Sequence, residues 1–254
     1  MPKIIAVANQ KGGVGKTTTA VNLASCLAYA GKKTLLIDCD PQSNSSSGVG
    51  ADELPHTLSV YECLADSSVT KDAVLKTKFV NLYLIPSSAD LSAAEIELAY
   101  EEKREFFLKN AIEKIKNDFD YIIIDSPPSL GMITINILTA ADSVLIPIQC
   151  EYYALEGVSQ LIKTIRAVKK KLNPSIDIEG ILATMYDGRT NLSIQVLEEV
   201  KKFFPDKLYK TVIPRNIRLS EAPSFGEPII KYDRTSKGAA AYTSLAKEVI
   251  KNNS

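Results

Sequence analysis

Short apolar runs along this chain alternate with longer segments in which apolar residues recur every three or four positions, and the two patterns predict different elements. Runs at Ile4–Ala8, Thr34–Ile37, Val80–Pro86, Tyr121–Ile124, Ser143–Ile148, Ile178–Thr184 and Leu208–Ile213 have the length and composition of buried strands. Helical spacing marks Thr17–Ala30, Leu91–Tyr100, Glu105–Phe119, Gly131–Ala141, Glu156–Leu172, Leu192–Phe204 and Ser236–Lys251. Thr57–Thr77 reads as one or two short helices, and the small polar segment Ser43–Gly50 as a mobile loop. Pro147 fits its strand only at an end or a bulge. Strand and helix alternate throughout, so the fold class is α/β: a mostly parallel sheet with helices on both faces and ligands at the strands' carboxyl ends. No repeat or linker divides the chain, and residues 1–254 read as one domain.

Length agrees, since 254 residues, 45% of them hydrophobic, suffice for one large core. The 30 basic and 30 acidic residues cancel, so any contact with nucleic acid must come from a local patch. Cys26, Cys39, Cys63 and Cys150 are too far apart for a metal or redox pair and read as buried thiols. His56 is the only histidine, which argues against histidine-based catalysis. The chain opens on a strand without a charged leader, and no apolar run reaches membrane-spanning length, so a cytoplasmic protein is expected.

The chemistry concentrates where strands end. Gln10-Lys11-Gly12-Gly13-Val14-Gly15-Lys16-Thr17-Thr18 joins a strand to a helix, the context of a phosphate-binding loop. Glycines admit phosphate oxygens to backbone N–H groups, Lys16 reaches the outer phosphates and the Thr17 hydroxyl can hold Mg²⁺. The usual first glycine is replaced by Gln10, and Lys11 is a charge the loop does not need, to be met by solvent or by a phosphate from another direction. Asp38 and Asp40 end one strand, and Asp125 ends another, placed to orient magnesium or its water or else to cap the next helix. Pro214-Arg215-Asn216 follows the last strand, and the Asn216 amide suits the edge of an adenine.

Together with Pro147-Ile148-Gln149-Cys150-Glu151-Tyr152-Tyr153-Ala154 and Arg218-Leu219-Ser220-Glu221-Ala222-Pro223-Ser224, these stretches resemble the ParA/Soj chromosome-partitioning ATPases nearly end to end. The resemblance implies a P-loop NTPase with a deviant Walker A motif, a slow ATPase using Mg²⁺ with ATP. It implies that Lys11 crosses an ATP-sandwich homodimer to the partner's nucleotide, that Gly12, Gly13, Val14, Gly15, Lys16, Thr17 and Thr18 hold phosphates, and that Asp40 positions or activates water. Pro214 and Asn216 would contact adenine, and Asp125 would stand in the metal's outer shell. It further implies nonspecific double-stranded DNA binding by the dimer through Arg189 and Arg218, hydrolysis stimulated by a ParB-like partner, and association with the nucleoid. Regulation of transcription or replication initiation is the alternative. A MinD-like membrane role is disfavoured, because the tail Lys247–Ser254 is short and mixed in charge.

Overall fold

A strand covered on both faces must feed alternate residues to two different cores, and the central strands here do so residue by residue. The computed structural model describes residues 2–151 and 154–253. Its seven strands are β1 (Lys3–Val7), β2 (Thr34–Asp38), β3 (Leu75–Lys76), β4 (Leu82–Ile85), β5 (Tyr121–Asp125), β6 (Ser143–Gln149) and β7 (Asp177–Thr184). Among the described residues they form one sheet, ordered β3-β4-β2-β5-β1-β6-β7, and only the β3–β4 pair is antiparallel. Ile5, Val7, Leu36 and Ile123 join one apolar cluster, while Ile4, Ala6, Leu35, Ile37, Ile122 and Ile124 join another. Each Val, Leu or Ile side chain among them contributes about 1.5–3 kcal/mol when buried. A one-residue slip would send every one of them to the wrong face, so the alternation fixes the register.

Eleven α-helices accompany the described strands: α1 (Lys16–Tyr29), α2 (Asn44–Ser47), α3 (Val60–Ala65), α4 (Leu91–Glu97), α5 (Phe107–Glu113), α6 (Met132–Ala140), α7 (Ala154–Lys171), α8 (Asn191–Phe203), α9 (Ile217–Glu221), α10 (Ile229–Tyr232) and α11 (Lys237–Asn252). Leu23 and Leu27 of α1 pack with Tyr242 and Leu245 of α11 over one face. Val60, Leu108, Ile112, Ile133 and Ile137 cover the other. Ile162, Ile165, Val196 and Val200 of α7 and α8 close over β6 and β7. No described helix is long and apolar enough to cross a membrane, and the apolar side of α11 is spent on the core.

Three expectations change. The end of Thr57–Thr77 is not helical: the Thr77 hydroxyl donates to the Leu82 carbonyl at 2.8 Å, closing a turn that lays β3 along β4. Glu105–Phe119 is only helical as α5, with single tight turns at Arg104–Phe106 and Lys116–Asp118. Leu208–Ile213 lies beside β7 but touches it through isolated bridges, Ile181 to Leu208 and Tyr186 to Pro214. Between them the Glu248 carboxylate of α11 accepts from the N–H groups of Lys210 and Thr211 at 2.9 and 3.1 Å, and Thr211 is the donor that would follow Tyr209 in a ladder with β7.

Pro147 lies within β6, and the reason it is tolerated leads to the site. β1 pairs with β6 only over Ser143–Leu145, and the Leu145 carbonyl accepts from the Ala8 N–H. Two residues on, Pro147 faces the same side beyond the ladder's end, where no N–H is required. Asn9 fills the gap, donating from Nδ2 to the Pro147 carbonyl at 2.7 Å.

Candidate nucleotide site

Parallel register sets Val7, Asp38 and Asp125 side by side at the carboxyl ends of β1, β2 and β5. The chain leaving β1 therefore turns beside two carboxylates before entering α1. Gly13 and Gly15 hold φ of 74° and 83° in this turn, the left-handed region that glycine enters without penalty. Two side chains moor it. Asn9 accepts from the Lys11 N–H at 3.0 Å while gripping Pro147, and the Thr184 hydroxyl, ending β7, lies 2.8 Å from the Val14 carbonyl and 2.9 Å from that of Ile148. Neither residue stands out in the sequence. The Lys16 side chain curls over the loop, its Nζ donating to the Lys11 carbonyl at 3.2 Å. Only 7% of Lys16 is exposed. Burial lowers its pKa, opposed by attraction to Asp125 and Asp40.

Asp125 is fully buried. Its Oδ2 accepts from the Ser45 hydroxyl at 2.6 Å, whereas Oδ1 has no hydrogen-bond partner. Burial and then the charge of Asp38 raise its pKa, with the hydroxyls of Ser45 and Thr17 pulling it back. Asp38, also buried, accepts from the Asp40 N–H at 3.1 Å and from the N–H and hydroxyl of Ser46 at 2.8 and 2.7 Å. Its pKa too is raised, first by burial and with repulsion from Asp40 adding to it, against those hydrogen bonds. Asp40 accepts from the Gln42 N–H at 3.0 Å, which turns the chain away from the strand. Ser43–Gly50 is thus no free loop. It carries α2, with Ser45 and Ser46 buried on the two strand-end acids.

An orphaned acid oxygen beside a phosphate loop and a threonine fits a hydrated cation. Among the described residues no three His, Cys, Asp or Glu side chains cluster to hold a metal unaided. Magnesium needs no such cage, since it binds through one or two protein groups, phosphates and water.

Beside the loop lies a cavity of about 220 Å³ lined by Gly15, Thr18, Met185, Pro214, Asn216 and Tyr242, among others. Pro214 and Asn216 are therefore brought beside Thr18. The Asn216 Oδ1 caps α9 by accepting from the Arg218 N–H at 2.8 Å. Met185 holds φ at 50° on the cavity wall, uncommon for a residue with a side chain. Tyr242 also lines the cavity, its hydroxyl 3.2 Å from that of Thr19. A second cleft of about 440 Å³ opens on the far side of Thr18 and Pro223, between α1 and α2.

The remaining basic residues stand apart. Lys11 lies at the rim, 35% of its side chain exposed, with Nζ 3.3 Å from Glu151 Oε2. Arg189 donates three times to Asp187, from its backbone N–H at 3.1 Å, Nε at 2.9 Å and Nη2 at 2.7 Å, and holds that carboxyl well below the usual range. Arg218 donates to Glu221 at 2.8 Å and lies 3.7 Å from Asp233. Both arginines are exposed, and each faces a carboxylate of its own chain. The stretch quoted through Tyr152 and Tyr153 lies partly outside the described residues.

The AAA domain family model matches residues 2–178. The chain is 60% identical over 252 residues to the sporulation initiation inhibitor protein Soj of Bacillus subtilis, covering 99% of this chain and 100% of that protein. It is 51% identical over 251 residues to the chromosome partitioning protein ParA of Myxococcus xanthus, covering 99% and 89%. Among solved structures it resembles cobyrinic acid a,c-diamide synthase from Mycobacterium smegmatis with bound ATP analog and magnesium, at a TM-score of 0.85 and 38% identity, covering 99% and 96%.

Proposed function

The chain belongs to the ParA/Soj family of chromosome-partitioning ATPases, and we propose that it acts as a nucleotide switch that binds ATP with Mg²⁺, dimerises, holds DNA nonspecifically and hydrolyses ATP slowly. The observation that carries this reading is the Oδ1 atom of Asp125, buried without a partner where β1, β2 and β5 end. The backbone from Gly12 to Thr18 cradles phosphates, and the desolvated Lys16 ammonium exchanges the Lys11 carbonyl for a phosphate oxygen. Thr17 and Asp125 hold the cation and its water; bound magnesium supplies neutralising charge to the transferring phosphoryl group. Asp40 orients the attacking water and accepts its proton as the bond from the γ-phosphorus to its bridging oxygen breaks. Pro214 and Asn216 flank the base.

Lys11 leaves Glu151 to reach a nucleotide held by a second subunit. DNA affinity follows from that dimer. Arg189 and Arg218 must trade their own carboxylates for phosphates, so one subunit neutralising ~2–3 phosphates binds weakly, and doubling the number in one rigid unit roughly doubles the binding free energy and the salt slope. A ParB-like partner stimulates hydrolysis and release. The name of the Bacillus relative, a sporulation initiation inhibitor protein, favours a second reading in which the DNA-bound dimer regulates transcription or replication initiation; operator footprinting separates the two, because nonspecific coating protects no preferred sequence. The reading itself is tested with Asp40→Ala, measuring ATP binding and phosphate release together. Retained binding with lost hydrolysis supports it, and undiminished hydrolysis refutes the role of Asp40.

A further inference from the structure

Asp38, Ser45 and Ser46 line neither the base cavity nor the adjoining cleft, yet all three are buried. A buried carboxylate is costly unless donors satisfy it, and Asp38 is met by three neutral donors: the N–H of Asp40 and the N–H and hydroxyl of Ser46. The Ser46 oxygen in turn accepts from the Ser87 N–H at 3.1 Å, which ties it to the end of β4 and leaves its proton for Asp38. Consecutive helical side chains diverge by about 100°. Seating Ser46 on Asp38 therefore aims Ser45 in one direction, and in that direction lies Asp125, in register with Asp38 on the neighbouring strand. The short helix spans the two acids as a clamp.

We propose that Asp38 is a positioning residue for the metal–nucleotide site: through Ser46 it seats α2 so that Ser45 occupies Asp125 Oδ2 and leaves Oδ1 aimed at the cation's water shell. This rests on the reading of Asp125 as the outer-shell acid. Without the clamp the carboxyl group is free to rotate, and the geometry that a hydrated divalent cation requires is lost.

The test measures Mn²⁺ binding to the ADP complex of the full chain by electron paramagnetic resonance, alongside ADP affinity without metal. Ser46→Ala and Asp38→Asn each weaken Mn²⁺ binding five- to tenfold, whereas metal-free ADP affinity stays within twofold of the parent and certifies the fold. Ser45→Ala, which deletes a single hydroxyl, shows the same weakening and carries the test if Asp38→Asn does not fold. If Asp125→Asn weakens Mn²⁺ binding but the Ser45 and Ser46 variants bind it within twofold of the parent, the clamp is refuted and the reading of Asp125 survives. If Asp125→Asn itself leaves Mn²⁺ binding and its spectrum unchanged, that reading falls and the clamp with it.

Discussion

Replacing Thr184 by valine keeps the side chain's shape and deletes one hydroxyl. That hydroxyl lies 2.8 Å from the Val14 carbonyl in the phosphate loop and 2.9 Å from the Ile148 carbonyl at the end of β6, and Thr184 is only 2% exposed. Water has no access to take its place, so leaving a buried acceptor without its donor costs about 1–3 kcal/mol. At the middle of that range, about 2 kcal/mol, a chain of this size loses roughly 4–8 °C in Tm. The loop also loses its tether to β7, and ATP affinity falls several-fold. Thermal unfolding and equilibrium ATP binding measure the two effects, with Thr184→Ser as the control that restores the hydroxyl and recovers most of both. A Thr184→Val protein melting within 1 °C of the parent and binding ATP equally well would refute the mooring of the loop.

Lys16→Ala removes the buried lysine of the phosphate loop and abolishes the response to nucleotide; unchanged ATP affinity would contradict its phosphate role. Replacing Arg189 or Arg218 by alanine weakens DNA binding while the ATP dimer persists, and because a dimer loses two contacts its salt slope flattens by about 1.8. An unaltered slope places the DNA surface elsewhere. Stability of the nucleotide-free chain depends on pH through Asp38 and Asp125, whose pKa values are raised chiefly by burial. The folded chain then keeps protons that the unfolded chain gives up near pH ~4, so Tm falls as pH rises from ~5 toward neutrality. The lowered carboxyls, such as Asp177 and Asp187, act with the opposite sign but below that window. Asp38→Asn flattens the decline, and a Tm that climbs across the same window contradicts the assignment.

The strands and the loop were legible because each leaves a local mark: β-branched runs for β1, β5 and β6, and glycines with Lys16 and Thr17 for the turn. Asp125 was legible by position, at a strand end where α/β folds gather ligands; the Pro214–Asn216 turn was read as following a strand, and it follows an extended segment joined to β7 by isolated bridges. Ser45 and Ser46 were not, since small polar residues read alike in a loop and in a buried helix, and only the registered acids beneath them decide. Asn9 and Thr184 act over 138 and 170 positions of sequence, separations that no local pattern encodes. Leu208–Ile213 misled because its composition suits a strand, while the competing acceptor, Glu248, arrives from the last helix.

Lys11 ties these parts into one claim, that nucleotide controls assembly and assembly controls DNA. Sizing the protein in solution with ATP, with ADP and without nucleotide, each with and without nonspecific DNA, tests that claim in a single series. The account predicts a dimer with ATP alone among the three, DNA bound only by that dimer, and neither with Lys11→Ala. A species that remains monomeric in saturating ATP while binding DNA as before would contradict it.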